Sequence, residues 1–253
     1  MSSLASTSWG SGPLLVLCHG FTQNAATWGR FGAELGEHHT ILAVDLPGHG
    51  GSAERAGSID DAAEGVLDLT RDEPFSLLGY SMGGRVALTA ALRRPPNLEH
   101  LVLIGATAGI ESPLERSARR SADERLADSL EQGDLREFLD RWLSQPIFAT
   151  LPRADANVDA RATNSAAGLA QSLRAMGTGT QDPSWDRLHD LRTPTLYLAG
   201  TLDLRYAAVG RRLIGAVPDG SLRLILGAGH ACHLEQPVAC AETITTWLSH
   251  GGH

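Results

Sequence analysis

Short apolar runs separated by segments of helical spacing limit the possible folds most. Pro13-Leu-Leu-Val-Leu-Cys18, Thr40-Ile-Leu-Ala-Val-Asp45, Phe75-Ser-Leu-Leu78 and Leu98-Glu-His-Leu-Val-Leu-Ile104 each read as a buried strand. Residues 25–35, 58–70 and 82–94 lie between them with helical character. Parallel strands need a crossover, and a helix supplies it. The alternation therefore predicts a mostly parallel α/β sheet flanked by helices on both faces. The rhythm stops near residue 106. It resumes with strands at 195–199 and 221–226 and helices at 200–217 and 238–248. The expected organisation is a core in two parts, 1–106 and 192–253, around a helical lid at 107–191. In that lid, Ser112-Pro-Leu-Glu115 is a capping box that opens a helix. Leu135, Phe138, Leu139, Trp142 and Leu143 recur at helical spacing, and residues 155–176 supply one or two more helices.

Between the third strand and its helix lies Gly79-Tyr-Ser-Met-Gly83, which fits G-x-S-x-G. A serine aimed out of a strand-to-helix turn needs a cramped backbone, and glycine at both flanks removes the clashing Cβ atoms. The amide of Met82 opens the helix and faces the space where an anion would form. A hydroxyl becomes a useful base or nucleophile only when an imidazole takes its proton, and the imidazole needs a carboxylate to fix its tautomer. Asp203 and His230 follow the strands at 195–199 and 221–226, both at strand carboxyl ends, where open α/β sheets bind ligands. The candidate triad is Ser81, His230 and Asp203. The amide of Phe21, in His19-Gly20-Phe21 after the first strand, is the candidate second donor of an oxyanion hole with Met82. His19 is expected to shape that loop, and His233 to be structural.

Composition narrows the chemistry. The net charge of −8 disfavours nucleic acid and anionic lipid surfaces. All 21 basic residues are Arg, so no lysine is available as a Schiff base or P-loop ligand, and anions must be held by guanidinium forks. Three cysteines without framework spacing suggest reduced thiols and a cytoplasmic protein. Residues 1–12 do not read as a secretory signal, and no apolar run is long enough to span a membrane. No His, Cys and acid set has metal-ligand spacing, and Gly48-His-Gly-Gly51 is not a dinucleotide fingerprint. No metal or cofactor is expected. A monomer or weak dimer is the expected oligomeric state.

Together these features resemble the α/β-hydrolase superfamily over nearly the whole chain. His-Gly-Phe-Thr22, Val-Asp-Leu-Pro-Gly-His-Gly50, Gly-Tyr-Ser-Met-Gly-Gly-Arg85, Glu115-Arg-Ser-Ala-Arg-Arg120, Trp142, Gln145-Pro-Ile-Phe148, Arg161-Ala-Thr-Asn164, Gly177-Thr-Gly-Thr-Gln181 and Gly229-His230 are similar to the 2-succinyl-6-hydroxy-2,4-cyclohexadiene-1-carboxylate (SHCHC) synthases of menaquinone biosynthesis. This resemblance implies an α/β-hydrolase fold with its lid inserted after the sixth strand. It implies a lyase that removes a proton beside a succinyl carbonyl and eliminates pyruvate, with Ser81 as the base. It also implies a tricarboxylate substrate held by Arg85, Arg119 and Arg161. Arg116 and Arg120 compete for the place of Arg119. Tyr80 and Trp142 are candidate pocket residues, and Trp142 fits a core position equally. Arg205-Tyr206 departs from the Lys-Phe pair common in the family, and an N-terminal antiparallel hairpin looks reduced or missing. A serine hydrolase of an ester, lactone or C–C bond uses the same triad and is the alternative. A binding protein on this fold has no need of a complete triad.

Overall fold

The computed structural model describes residues 3–71 and 73–251. A seven-stranded sheet forms its centre, in the order β1-β3-β2-β4-β5-β6-β7. The strands are β1 (Ser6–Gly10), β2 (Leu14–Cys18), β3 (Thr40–Val44), β4 (Phe75–Tyr80), β5 (Leu98–Ile104), β6 (Thr195–Gly200) and β7 (Gly220–Ile225). β1 pairs antiparallel with β3, and the remaining neighbours are parallel.

Alternate residues of each central strand serve opposite faces. Val16 and Cys18 of β2, Leu77 of β4, Leu101 and Leu103 of β5 and Tyr197 of β6 enter one core. Helices α2 (Ile59–Leu69), α3 (Met82–Ala91) and α8 (Leu204–Ile214) close it. Leu15, Leu17, Leu78, Val102, Ile104, Leu196 and Leu198 enter a second core under α1 (Gly29–Gly36), the short α9 (Cys232–Glu235) and α10 (Pro237–Ser249). Burial on both faces is why these strands read as unbroken apolar runs.

Between β5 and β6 the chain leaves the sheet as α4 (Pro113–Gln132), α5 (Leu135–Leu143), the short α6 (Val158–Arg161) and α7 (Ala166–Met176). Ser112 caps α4 through Glu115 N, and Asp134 and Ser165 cap α5 and α7. Ala127, Leu130, Phe138, Leu169, Ala170 and Leu173 form a small apolar core within this insertion. Arg174 of α7 pairs with Glu124, Asp128 and Glu131 of α4.

The insertion follows the fifth strand, not the sixth as expected. The N-terminal antiparallel element is reduced to the single strand β1, so every later strand moves down by one. Among the described residues no helix is long and apolar enough to cross a membrane.

Candidate active site

β2 and β4 lie side by side, with Cys18 opposite Gly79. Beyond their carboxyl ends the chain diverges, from β2 toward β3 on one side and from β4 toward β5 on the other. Such a divergence opens a crevice at the strand ends. Ser81 occupies the turn from β4 into α3 with φ 51° and ψ −106°. That region is strained for a residue with a side chain and persists only when the surroundings enforce it. Ser81 N donates to Ile104 O at 2.9 Å. A Cβ on Gly79 would stand 2.3 Å from Gly83 O, and one on Gly83 would stand 2.0 Å from Cys18 O. The glycine spacing of the motif is therefore a packing requirement: α3 crosses β4 and β2 too closely for side chains.

His230 and Asp203 come to this turn from the ends of β7 and β6. His230 Nδ1 lies 2.8 Å from Asp203 Oδ2, and His230 Nε2 lies 3.3 Å from Ser81 Oγ. Asp203 also caps α8, its Oδ1 accepting from Tyr206 N at 3.0 Å. Both carboxylate oxygens are thus committed. The Tyr206 ring packs against the imidazole at 4.5 Å, and Tyr80 and Phe148 flank it at 5.4 and 6.2 Å. A carboxylate on Nδ1 fixes that proton and leaves Nε2 to accept from the serine. The arrangement can withdraw a proton from the Ser81 hydroxyl.

The Met82 amide begins α3, and the Phe21 amide lies in the loop after β2. Among the described residues neither has a hydrogen-bond acceptor. The Phe21 loop is pinned from two sides. From the sheet side, His19 Nε2 accepts from Leu46 N at 3.1 Å, and Gln23 Oε1 accepts from Gly20 N at 2.9 Å. Burial lowers the His19 pKa to about 4, so the ring is neutral and free to accept. From the insertion, Arg161 donates to Thr22 Oγ1 and Asn164 Nδ2 donates to Thr22 O at 2.8 Å.

Arg85 lies one helical turn beyond Ser81 and is 5 % exposed. It donates to Met176 O at 2.7 Å and to Gln181 Oε1 at 3.0 Å. Arg161 is 2 % exposed and donates to Ala156 O at 2.7 Å. Burial lowers both guanidiniums to about 10, so both stay charged at neutral pH. Neither makes an ion pair among the described residues, and Asp123 acts on Arg85 only through space. A buried charge without a counterion is costly, and an anion that enters beside it relieves the cost.

Arg119 is half-exposed and donates from Nε to Asp123 Oδ1 at 2.8 Å. Phe21, Met82, Arg85, Arg119, Trp142 and Gly177 line one cavity of about 30 Å³. Arg161 and Tyr80 do not line it. Arg161 lies behind the Phe21 loop, and Tyr80 packs against His233 at 4.3 Å. Arg116 is tied to the Ile110 and Glu111 carbonyls, and Arg120 to the Gly179 carbonyl, so Arg119 alone of these three joins the cavity. Trp142 is both wall and core: its ring meets Phe21 at 5.0 Å and Phe138 at 6.2 Å. Among the described residues no cluster of His, Cys, Asp and Glu can hold a metal.

Sequence reasoning missed the roles of Gln181, Asn164 and Asp123. Each is a common polar residue in a helix or loop. Its partner lies on another element or, for Asp123, one helical turn away under burial that no single sequence reveals.

A family model described as the alpha/beta hydrolase family matches residues 15–243. The 2-succinyl-6-hydroxy-2,4-cyclohexadiene-1-carboxylate synthase of Citrobacter koseri is 35 % identical over 93 % of this chain and 94 % of its own. The enzyme of the same name from Serratia proteamaculans is 32 % identical over 95 % and 94 %. The solved structure of MenH from S. aureus superposes with a TM-score of 0.90 at 27 % identity, covering 98 % of this chain and 99 % of that one.

Proposed function

The chain belongs to the alpha/beta hydrolase family, and from that premise we propose that it is a carbon–oxygen lyase, the SHCHC synthase of menaquinone biosynthesis. Its substrate is 2-succinyl-5-enolpyruvyl-6-hydroxy-3-cyclohexene-1-carboxylate, and its products are SHCHC and pyruvate. His230, oriented by Asp203, takes the proton of Ser81. The Ser81 oxygen removes the proton beside the succinyl carbonyl. The electron pair left at C2 forms a C2–C3 double bond, the C3–C4 double bond shifts to C4–C5, and the C–O bond from C5 to the enolpyruvyl group breaks. The departing enolate takes up a proton and becomes pyruvate. The amides of Phe21 and Met82 receive the succinyl oxygen as negative charge grows on it. Arg85 and Arg119 bind carboxylates in the cavity they line, with Trp142 as a further substrate contact. Arg161 and Tyr80 lie outside that cavity and complete the proposed substrate contacts only once the helices at 107–191 have shifted. No step calls for a metal or an organic cofactor.

One observation carries this reading: Arg85 is buried one turn beyond Ser81 and makes no ion pair among the described residues. A pocket for a neutral ester has no use for such a cation, whereas a tricarboxylate supplies its counterion. The cavity of about 30 Å³ holds roughly one water. Admission of a substituted ring therefore requires the helices at 107–191 to shift, which is the behaviour of a lid.

The test is release of pyruvate from the enolpyruvyl substrate, followed with lactate dehydrogenase and NADH. Wild-type enzyme is expected to turn over, and Ser81→Ala to lose nearly all activity. Rapid hydrolysis of simple esters, strong labelling of Ser81 by a serine probe and no pyruvate would favour the hydrolase reading instead.

A further inference from the structure

Helix α4 carries one buried acid. Asp123 is 2 % exposed, whereas Glu115, Glu124 and Glu131 of the same helix are exposed. It lies on the inward face with Ala127 and Leu130, one and two turns on, where an apolar residue would be expected. Its Oδ1 accepts from Arg119 Nε at 2.8 Å. Its Oδ2 is buried without a hydrogen-bond partner among the described residues. A Cβ on Gly177 would stand 2.4 Å from that oxygen, so glycine there is the clearance that admits the carboxylate. Gly177 follows Met176, whose carbonyl anchors Arg85. The acid thus touches one cavity arginine and lies beside the anchor of the other. Burial pushes its carboxyl pKa up, and the Arg119 and Arg85 guanidiniums pull it down.

Resting on the lyase reading above, we infer that Asp123 is a positioning residue that acts through Arg119. A guanidinium has five N–H donors in a rigid fork. Asp123 takes the Nε edge, which fixes the plane of the fork and leaves the terminal amino groups for a substrate carboxylate. A long, half-exposed side chain otherwise samples many rotamers, and binding would have to order it. With Arg116 and Arg120 held by backbone carbonyls, Asp123 also determines which arginine of α4 serves the cavity.

The test is a double-mutant cycle on the full chain with the enolpyruvyl substrate: wild type, Asp123→Asn, Arg119→Ala and the double variant. Asp123→Asn keeps the side-chain volume. It is expected to raise KM about tenfold while kcat changes less than about twofold, because ground-state and transition-state binding are lost together. In the Arg119→Ala background the same change is expected to have no further effect on KM. Equal losses in both backgrounds, or a fall in kcat at constant KM, would overturn the inference. Should Asp123→Asn not fold, Arg119→Ala alone still decides, since a wild-type KM in that variant leaves Asp123 nothing to position. Wild-type enzyme that releases no pyruvate would overturn the lyase reading itself, a separate outcome.

Discussion

Ser81 Oγ lies 3.3 Å from His230 Nε2, half an ångström farther than His230 Nδ1 lies from Asp203 Oδ2. The imidazole is thus held tightly on its carboxylate side and loosely on its serine side. Catalytic hydrogen bonds often tighten only when substrate is bound. In the proposed mechanism the three residues act as one relay, so their losses should not add. Ser81→Ala and His230→Ala are each expected to lower kcat by about 10²–10⁴, and the double variant to be little worse than either. Single-turnover pyruvate release measures this. A Ser81→Ala enzyme that keeps more than about a tenth of the wild-type rate would remove the serine from the chemistry.

Arg85 makes two contacts that are not its proposed work: one to the Met176 carbonyl and one to Gln181. Replacing it with Ala removes a charge-assisted carboxylate contact of about 1.5–3 kcal/mol, a loss of roughly 10- to 150-fold in kcat/KM. Arg85→Lys restores the charge but not the fork, and is expected to recover only part of that loss. Thermal unfolding separates this from damage to the Met176 and Gln181 contacts, because lost binding alone leaves the midpoint of the free protein unchanged. Near-normal kcat/KM in Arg85→Ala would argue against a carboxylate at this position.

The parts of the site that sequence revealed are those whose cause is local. G-x-S-x-G signals a turn that needs glycine clearance, and Ser81 adopts the strained φ of 51°. Arg85 follows Ser81 by one helical turn, so its facing was legible from periodicity alone. Ser112, Asp134 and Ser165 announce their helices by capping. The hidden parts depend on distant contacts. β1 is Ser-Thr-Ser-Trp-Gly, an exposed edge strand bound to β3 through backbone groups, and it carries no apolar alternation to read. Arg161 reads as a lid cation, yet it donates to Thr22 in a loop far earlier in the chain. Its support of the Phe21 loop follows from tertiary packing and from nothing adjacent to it.

Gly105 closes β5 with φ 55°, and a Cβ there would come within 2.9 Å of His230 Cε1. Gly105→Ala therefore has two effects: backbone strain of about 1–3 kcal/mol and displacement of the imidazole. Activity is expected to fall more than stability, by at least about tenfold in kcat, because proton transfer is sensitive to misplacement of about 1 Å. A variant with a lowered unfolding midpoint and unchanged kcat would show that the ring has room to yield.

Three deeply buried histidines contribute to acid stability, beside the smaller contributions of His39 and His100, whose pKa values burial also lowers. Burial lowers His19 to about 4 and His49 and His233 to about 3. In the unfolded chain each titrates near 6.5. Between these limits the unfolded state binds protons that the folded state refuses, so the stabilisation is complete above pH 6.5 and is lost as pH falls toward 4. The slope is about 1.4 kcal/mol per pH unit for each ring, or roughly 4 for the three together at most. Urea unfolding at pH 7.5, 6.0 and 5.0 should give a steadily falling free energy. His233 is the informative position. Neither of its nitrogens has a hydrogen-bond partner among the described residues, and it packs among Trp28, Phe31 and Tyr80. An apolar ring can replace it without abandoning a polar contact. His233→Phe is expected to leave stability at pH 7.5 nearly unchanged and to remove up to about 1.4 kcal/mol per pH unit from the acid slope. An unchanged slope in that variant would mean that protonation of this buried ring does not contribute to acid unfolding.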